Sequence, residues 1–279
     1  MNTFEIAGGS VVGRDHRLAG RNNQDAFSWV RHEHALVAVV CDGCGSSTHS
    51  EVGAWIGARL IISMILGVVP RVHDDRASME NMLDRVRVDA TAHLRVLANA
   101  MGGSLSQTVS EFFLFTAVGV IVLPDTTYLF ALGDGVFVVN GQLVRIGPFE
   151  NNEPPYLAYG GLVGSALAER HPDLVRFQLY SVLPTCDVAS VLIGTDGIVD
   201  LIAAAERQLP GRNEPLGAIS QFWEDDRFFR NPDMVRRRLA LAGRDVTTHN
   251  WDNRQALLEP GLLPDDSTLV VLRRRAEER

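Results

Sequence analysis

Four aspartates stand at the ends of apolar runs or beside glycines: Asp42 in VVCDGCG, Asp134 in ALGDGVF, Asp196 in LIGTDGIV and Asp265 in LLPDDSTLVV. A fifth, Asp25 in NNQDAF, immediately precedes another apolar run. An aspartate that closes a strand places its carboxylate at the rim of a sheet. A glycine after it lets the backbone turn tightly and brings its own carbonyl within reach of a ligand. Several such rims on one edge would crowd carboxylates that cannot all ionise cheaply. A hard divalent cation resolves that conflict, and oxygen-only donors suit Mg2+ or Mn2+ rather than Zn2+. Each Asp-Gly pair taken singly is accounted for by turn formation. Turns alone do not explain why each follows a strongly apolar run, although spacing by itself does not establish convergence.

Composition removes competing chemistries. The 279-residue chain contains no lysine, so all 26 basic residues are arginine. Schiff-base catalysis, a Walker lysine and a kinase ATP lysine are thereby excluded. Against 34 acidic residues the net charge is −8, which disfavours non-specific nucleic-acid binding. Cys41, Cys44 and Cys186 are too few for a disulfide scaffold and fit a reducing cytoplasmic compartment. Cys41-x-x-Cys44 has no second CxxC partner, so core packing is favoured over a redox or zinc pair. Asp42-Gly43-Cys44-Gly45 lacks the second aspartate that an aspartyl-nucleophile phosphatase requires. The N-terminus shows no basic stretch followed by an apolar one, and the apolar run from Ala54 to Pro70 is broken by Arg59 and Ser63. Neither a signal peptide nor a membrane association is expected. The arginine runs 236–238 and 273–275 are read as an ordinary helix end and chain end, and the aromatic cluster around Phe222 and Phe228 as packing.

The elements that would position the aspartates follow from periodicity. Strands are expected over Phe4–Val12, Ala26–Arg31 and Ala35–Cys41. A helix capped by Thr48 or Ser50 runs to about Gly67 and ends at Pro70, and a second spans Ser78–Met101 before Gly102-Gly103. Apolar runs over Glu111–Leu123, Thr127–Leu132, Val136–Asn140 and Gln142–Ile146 read as a strand meander, with Asn140-Gly141 as a hairpin turn. Residues 147–165, rich in Gly, Pro and Asn, read as a long surface loop. Strands over Leu174–Ser181, Val188–Gly194 and Thr268–Arg273 alternate with short helices over Asp196–Ala205, Leu216–Trp223 and Pro232–Leu241. Regular β-α-β alternation is missing, so a doubly wound parallel sheet is disfavoured and two antiparallel sheets covered by helices are expected. No linker-like composition divides the chain, which is read as one domain over 1–279.

In this order the motifs resemble those of the metal-dependent protein serine/threonine phosphatases, the protein phosphatase 2C family, in a bacterial form. Gly13-x-x-His16, Gly20 and Gln24-Asp25-Ala26 resemble the first motif. Val39–Ser46 followed by Ser50-Glu51-x-Gly53-Ala54 resembles the Asp-Gly-x-Gly motif and its helix. Phe115-Thr116-Ala117, Leu132–Gly135, Gly194–Ile198 and Asp265–Thr268 resemble the remaining motifs, so the likeness runs from about residue 5 to 273. The resemblance implies an α+β fold, a four-layer αββα sandwich of two antiparallel β-sheets flanked by helices. It implies that Asp42 bridges two Mg2+ or Mn2+ ions, that the Gly43 carbonyl binds the first, and that Asp196 and Asp265 bind the second. Asp25 lies close by, acting directly or through water, and Asp134 serves a third, weaker metal site. Two ions about 3.5–4 Å apart hold a water or hydroxide that attacks phosphoserine or phosphothreonine, so no protein nucleophile is needed. Expected partners are a phosphorylated protein substrate and a Ser/Thr kinase.

Three departures from the pattern support an alternative, a pseudophosphatase that binds phosphoproteins or a partner kinase without turnover. Gln24 stands where Glu is common before Asp25, and Cys44 where some relatives carry His. Gly20 stands where many carry a phosphate-binding Arg, leaving Arg21 or Arg17 to hold the phosphate against the commoner fate of a solvated arginine. Asp266 replaces the usual Asn and is expected either to tune the second metal or to face solvent, and His16 to hydrogen-bond within its loop. Residues 147–165 are expected to form a flap beside the metals and 206–260 a branch-specific insertion, both bearing on substrate choice.

Overall fold

The computed structural model describes residues 3–150, 153–250 and 254–275. Two five-stranded antiparallel sheets stack face to face. In the first, β1 (Phe4–Val11) lies at one edge beside β12 (Ser267–Arg274), followed by β9 (Ser190–Gly194), β6 (Gly135–Val139) and β7 (Gln142–Ile146). In the second, β2 (Asp25–Arg31), β3 (Leu36–Gly43), β4 (Phe115–Val122), β5 (Thr126–Leu132) and β8 (Gln178–Pro184) lie in that order. The helices are α1 (Arg14–Leu18), α2 (Ser50–Val68), α3 (Arg76–Met101), α4 (Leu105–Phe112), α5 (Ala166–Arg170), α6 (Gly197–Ala203), α7 (Gln221–Glu224), α8 (Arg227–Arg230) and α9 (Met234–Gly243). A separate hairpin joins β10 (Val246–Asn250) to β11 (Gln255–Glu259).

Strand alternation produces the layers. Along β3, Leu36, Ala38 and Val40 point into the space between the sheets, against Val118, Val120, Ile193 and Val270. Val37, Val39 and Cys41 point the other way, against Ala54, Ile61 and Ile65 of α2 and Met79 and Leu83 of α3. The opposite outer face, with Val138, Leu192 and Val271, is covered by Ile198 and Leu201 of α6, Phe222, Phe228, and Val235 and Leu239 of α9. With both faces of each sheet covered, strands read as continuous apolar runs rather than half-polar ones. Helix α2 is long and apolar enough to cross a membrane by length and composition. In the fold its small-residue stripe lies on the sheet: a Cβ on Gly53 would strike the Phe112 carbonyl and one on Gly57 the Phe115 ring.

The four-layer α+β sandwich matches expectation, and several element boundaries do not. Glu111 and Phe112 end helix α4 rather than begin a strand, because Ser104 caps that helix by accepting from the Gln107 N–H. Ser50 is the first residue of α2 rather than its cap; its hydroxyl donates to the Cys44 carbonyl at 3.0 Å. Helix α3 starts at Arg76, two residues before the expected Ser78, because Asp75 caps it by accepting the Ser78 N–H at 2.9 Å. The strand expected over Leu174–Ser181 begins at Gln178, since Pro172–Val175 forms a tight helical turn. The helix expected over Leu216–Trp223 is reduced to Gln221–Glu224. The β10–β11 hairpin was not anticipated: Leu257 and Leu258 are both exposed, so no burial pattern marks it. Asn151 and Asn152 of the expected flap lie outside the described residues.

Candidate active site

Register brings the carboxylates to one edge of the sandwich. Asp25 opens β2 directly opposite Asp42 near the end of β3, and Asp42 faces Thr116 on β4. On the facing sheet, β9 ends at Gly194 and delivers Thr195 and Asp196, while Asp265 and Asp266 precede β12. A Cβ on Gly197 would collide with the Asp266 carbonyl, so glycine there lets the start of α6 sit against the start of β12. Asp134 sits in the turn between β5 and β6. Together Asp42, Asp134, Asp196 and Asp265 line a cavity of about 490 Å3, with Gly43, Cys44 and Tyr156 on its wall. The arrangement sequence spacing could not establish is therefore present.

Asp25 is buried behind this cavity. Its Oδ2 accepts from the Thr195 hydroxyl at 2.7 Å, and its backbone N–H donates to Asn23 Oδ1. Its Oδ1 is buried without a hydrogen-bond partner. Burial first, then the charge of Asp266, pushes the Asp25 carboxyl well above the usual range. Asp42 is pushed up as well, by burial and then by the charges of Asp25, Asp196, Asp134 and Asp265. Asp134 is raised to about 6 by burial and by Asp196, and Asp265 is raised by the same two causes. Among the described residues no arginine lines the cavity. A crowd of carboxylates with an orphaned buried oxygen and no arginine among them is the donor set a hard divalent cation requires.

Asp266 does not face solvent, one of the two expectations offered for it. It is only 3% exposed and fastens the first-motif loop. Its Oδ1 accepts the Gly13 N–H at 2.6 Å and its Oδ2 the Gln24 N–H at 2.5 Å. His16 Nδ1 lies 2.9 Å from Asp266 Oδ2, in electrostatic contact but off the line of a hydrogen bond. Gln24 donates from Nε2 to the Ser47 carbonyl at 3.1 Å, tying the same loop to the segment after Asp42.

Neither arginine considered for phosphate binding lines the cavity. Arg21 reaches across its rim and donates to the Gly45 carbonyl. Arg17 turns away, donating to the Gly243 carbonyl at the end of α9 at 2.6 Å. Sequence reasoning placed segment 147–165 beside the site but did not single out Tyr156 and Tyr159, whose rings meet edge-on at 5.2 Å and line the cavity. Their spacing of three residues in a Pro-rich stretch was the available signal. Thr195, the partner of Asp25, was hidden beside the more conspicuous Asp196. Arg145 on β7 was also missed; its charge acts on Asp134 and Asp200.

Comparison with known proteins places this geometry. A family model described as "Protein phosphatase 2C" matches residues 12–229. A bacterial serine phosphatase structure aligns over 99% of this chain and 100% of its own at 16% identity, with a TM-score of 0.53. The serine/threonine phosphatase Stp1 from Staphylococcus aureus aligns over 98% and 96% at 15% identity, with a TM-score of 0.50. The catalytic domain of the serine threonine protein phosphatase PstP, in complex with 2 manganese ions, aligns over 97% of each chain at 13% identity and a TM-score of 0.51. A search of curated proteins gave no match. At these identities the solved structures speak to the fold, and the family model, covering most of the sequence, speaks to descent: the chain belongs to the protein phosphatase 2C family.

Proposed function

We propose that this chain is a Mg2+- or Mn2+-dependent protein serine/threonine phosphatase that hydrolyses phosphoserine or phosphothreonine. The observation that carries the reading is the buried, unpartnered Oδ1 of Asp25 behind a cavity walled by Asp42, Asp134, Asp196 and Asp265. Asp42, the Gly43 carbonyl, Asp196 and Asp265 would hold two ions, with Asp25 supporting them and Asp134 serving a third. Bound there, the ions supply a water nucleophile at neutral pH and offset the charge of the phosphate. The chain's own residues do the positioning. Thr195 orients Asp25 through its 2.7 Å hydrogen bond, and Asp266 holds the loop that carries Gln24 and Asp25. Tyr156 and Tyr159 narrow the approach to the cavity. Its acidic wall repels a phosphate dianion unless cations are present, so activity is expected to depend strictly on metal. The expected substrates are phosphorylated proteins in a reducing compartment, opposed by a Ser/Thr kinase.

The test is phosphate release from a phosphothreonine peptide with and without Mn2+, in the native chain and in Asp42→Asn. Metal-independent release, or an unaffected variant, contradicts the proposal. The absence of arginine from the cavity wall favours one second reading, a pseudophosphatase that binds phosphoproteins or a kinase. Tight Mn2+-dependent phosphopeptide binding without release would select it.

A further inference from the structure

A second concavity of about 560 Å3 adjoins the aspartate cavity, and its lining has the opposite charge. Arg17, Arg21, Arg236 and Arg244 line it together with Asn22 and Asn23, and among the described residues no acidic one does. Among the described residues, three of the four guanidinium groups keep their charge uncompensated by a direct ion pair. Arg17 and Arg21 donate to neutral carbonyls, those of Gly243 and Gly45. Among the described residues Arg244, which is exposed, has no hydrogen bond or ion pair. Arg236 is paired, to Asp233 at 2.6 Å, and Asp233 also serves Arg237. Asp245, the acid whose charge reaches Arg17, is already engaged by Arg14 at 3.0 Å. In a chain of net charge −8, this is a local concentration of positive charge that repels itself until an anion enters.

The position of the groove matters as much as its charge. Helix α1 and the loop after it form the wall between the two concavities, with His16 facing the aspartates and Arg17 facing the groove. Arg21 lines the groove and holds the carbonyl of Gly45, which lines the aspartate cavity. A polypeptide whose phosphorylated residue occupies the aspartate cavity therefore has a direct path over Arg21 into the groove.

We propose that this arginine groove is a second anion subsite, receiving acidic or additionally phosphorylated residues that flank the phosphoresidue being hydrolysed. The proposal rests on the phosphatase reading for its substrate, while the groove's affinity for anionic peptide does not depend on turnover. It makes the enzyme selective for acidic phosphoprotein segments, with the selectivity supplied by arginines outside the metal centre.

The experiment uses three phosphothreonine peptides: one with neutral flanks, one with four aspartates before the phosphoresidue and one with four after it. With the Mn2+-loaded full chain at low ionic strength, one acidic peptide should exceed the neutral one in kcat/KM by about tenfold, mainly through KM. The advantage should shrink with added salt. In the double variant Arg236→Glu/Arg244→Glu the acidic-to-neutral ratio should fall to about one, whereas Arg85→Glu on α3, a charge reversal away from the groove, should preserve it. Equal hydrolysis of neutral and acidic peptides by the native chain overturns the proposal, as does a double variant that loses both substrates in proportion. If no peptide is hydrolysed, the phosphatase reading fails, and fluorescence anisotropy of the unphosphorylated acidic peptides decides the groove alone. Binding that the double variant loses and Arg85→Glu retains supports it; no binding overturns it.

Discussion

Replacing Asp25 with Asn should make the metal-free protein more stable and the metal-loaded protein comparatively less so. Asp25 is 7% exposed, its Oδ1 has no partner, and the charges of Asp266 and Asp196 oppose its ionisation. Burying a group short of partners costs about 1–3 kcal/mol, and more when it is charged; Asn leaves an unpartnered amide in place of the Oδ1 but removes the charge. Asn keeps an oxygen for the Thr195 hydroxyl and removes the like-charge repulsion. At roughly 2–4 °C per kcal/mol for a chain of this order of size, the melting temperature in EDTA should rise by about 2–12 °C. The gain depends on pH with a definite sign. Burial raises the folded-state pKa of Asp25 above its unfolded value, so its stabilising share is full below about pH 4 and is lost as pH climbs through the folded value. Asn escapes that loss, and the advantage of the variant should widen from pH 4 to pH 8. Mn2+ acts in the opposite direction. A ligand at 100 times its Kd stabilises by about 2.7 kcal/mol per site, and the variant forfeits part of this because an amide supports a cation less well than a carboxylate. Differential scanning calorimetry at pH 4, 6 and 8, with EDTA or Mn2+, tests both halves. A variant less stable than wild type in EDTA at pH 8, or one stabilised equally by Mn2+, would refute the reasoning.

Three further outcomes are expected. Because Asp134 is raised to about 6 and Asp25, Asp42 and Asp265 are raised too, Mn2+ binding should expel protons and strengthen as pH rises through about 6; isothermal calorimetry in buffers of different ionisation enthalpy should reveal the release, and a buffer-independent heat contradicts it. Asp266→Ala strands the buried Gly13 and Gln24 N–H groups, which should cost about 2–5 kcal/mol in urea denaturation and weaken Mn2+ binding by displacing the loop that carries Asp25; unchanged Mn2+ affinity would show that the loop does not position the site. Gly57→Ala drives a Cβ into the Phe115 ring and should destabilise by about 1–3 kcal/mol without altering Mn2+ affinity, read as a lower urea midpoint with an unchanged binding isotherm.

The sequence carried the strands and the aspartates because both write strong local signals, and it carried less of what depends on pairing across the fold. The run Ala35–Cys41 is apolar at every position because both faces of β3 are covered, and Asp42 is conspicuous because it ends that run. Nothing local says that Asp25 stands opposite Asp42; that follows from the β2–β3 register and turns two separate carboxylates into one electrostatic problem. The orphaned Oδ1 of Asp25, the Thr195 hydroxyl that holds its neighbour and the Asp266 clamp are properties of contacts spanning 170 and more residues. Asp266 shows the difference most clearly. As a second acid beside Asp265 it reads as additional metal charge, yet its two oxygens are occupied by N–H groups from the opposite end of the chain. Arg17 and Arg21 show the complementary case. Their closeness to Gly20, where the resemblance places a phosphate-binding arginine, suggested a place in the same cavity, but the step of about 100° between consecutive helical residues puts His16 and Arg17 on different sides of α1, and the arginines gather instead with Arg236 and Arg244. Local sequence thus marks which groups have chemistry to offer, while helix phase and strand register decide which of them act on a common ligand.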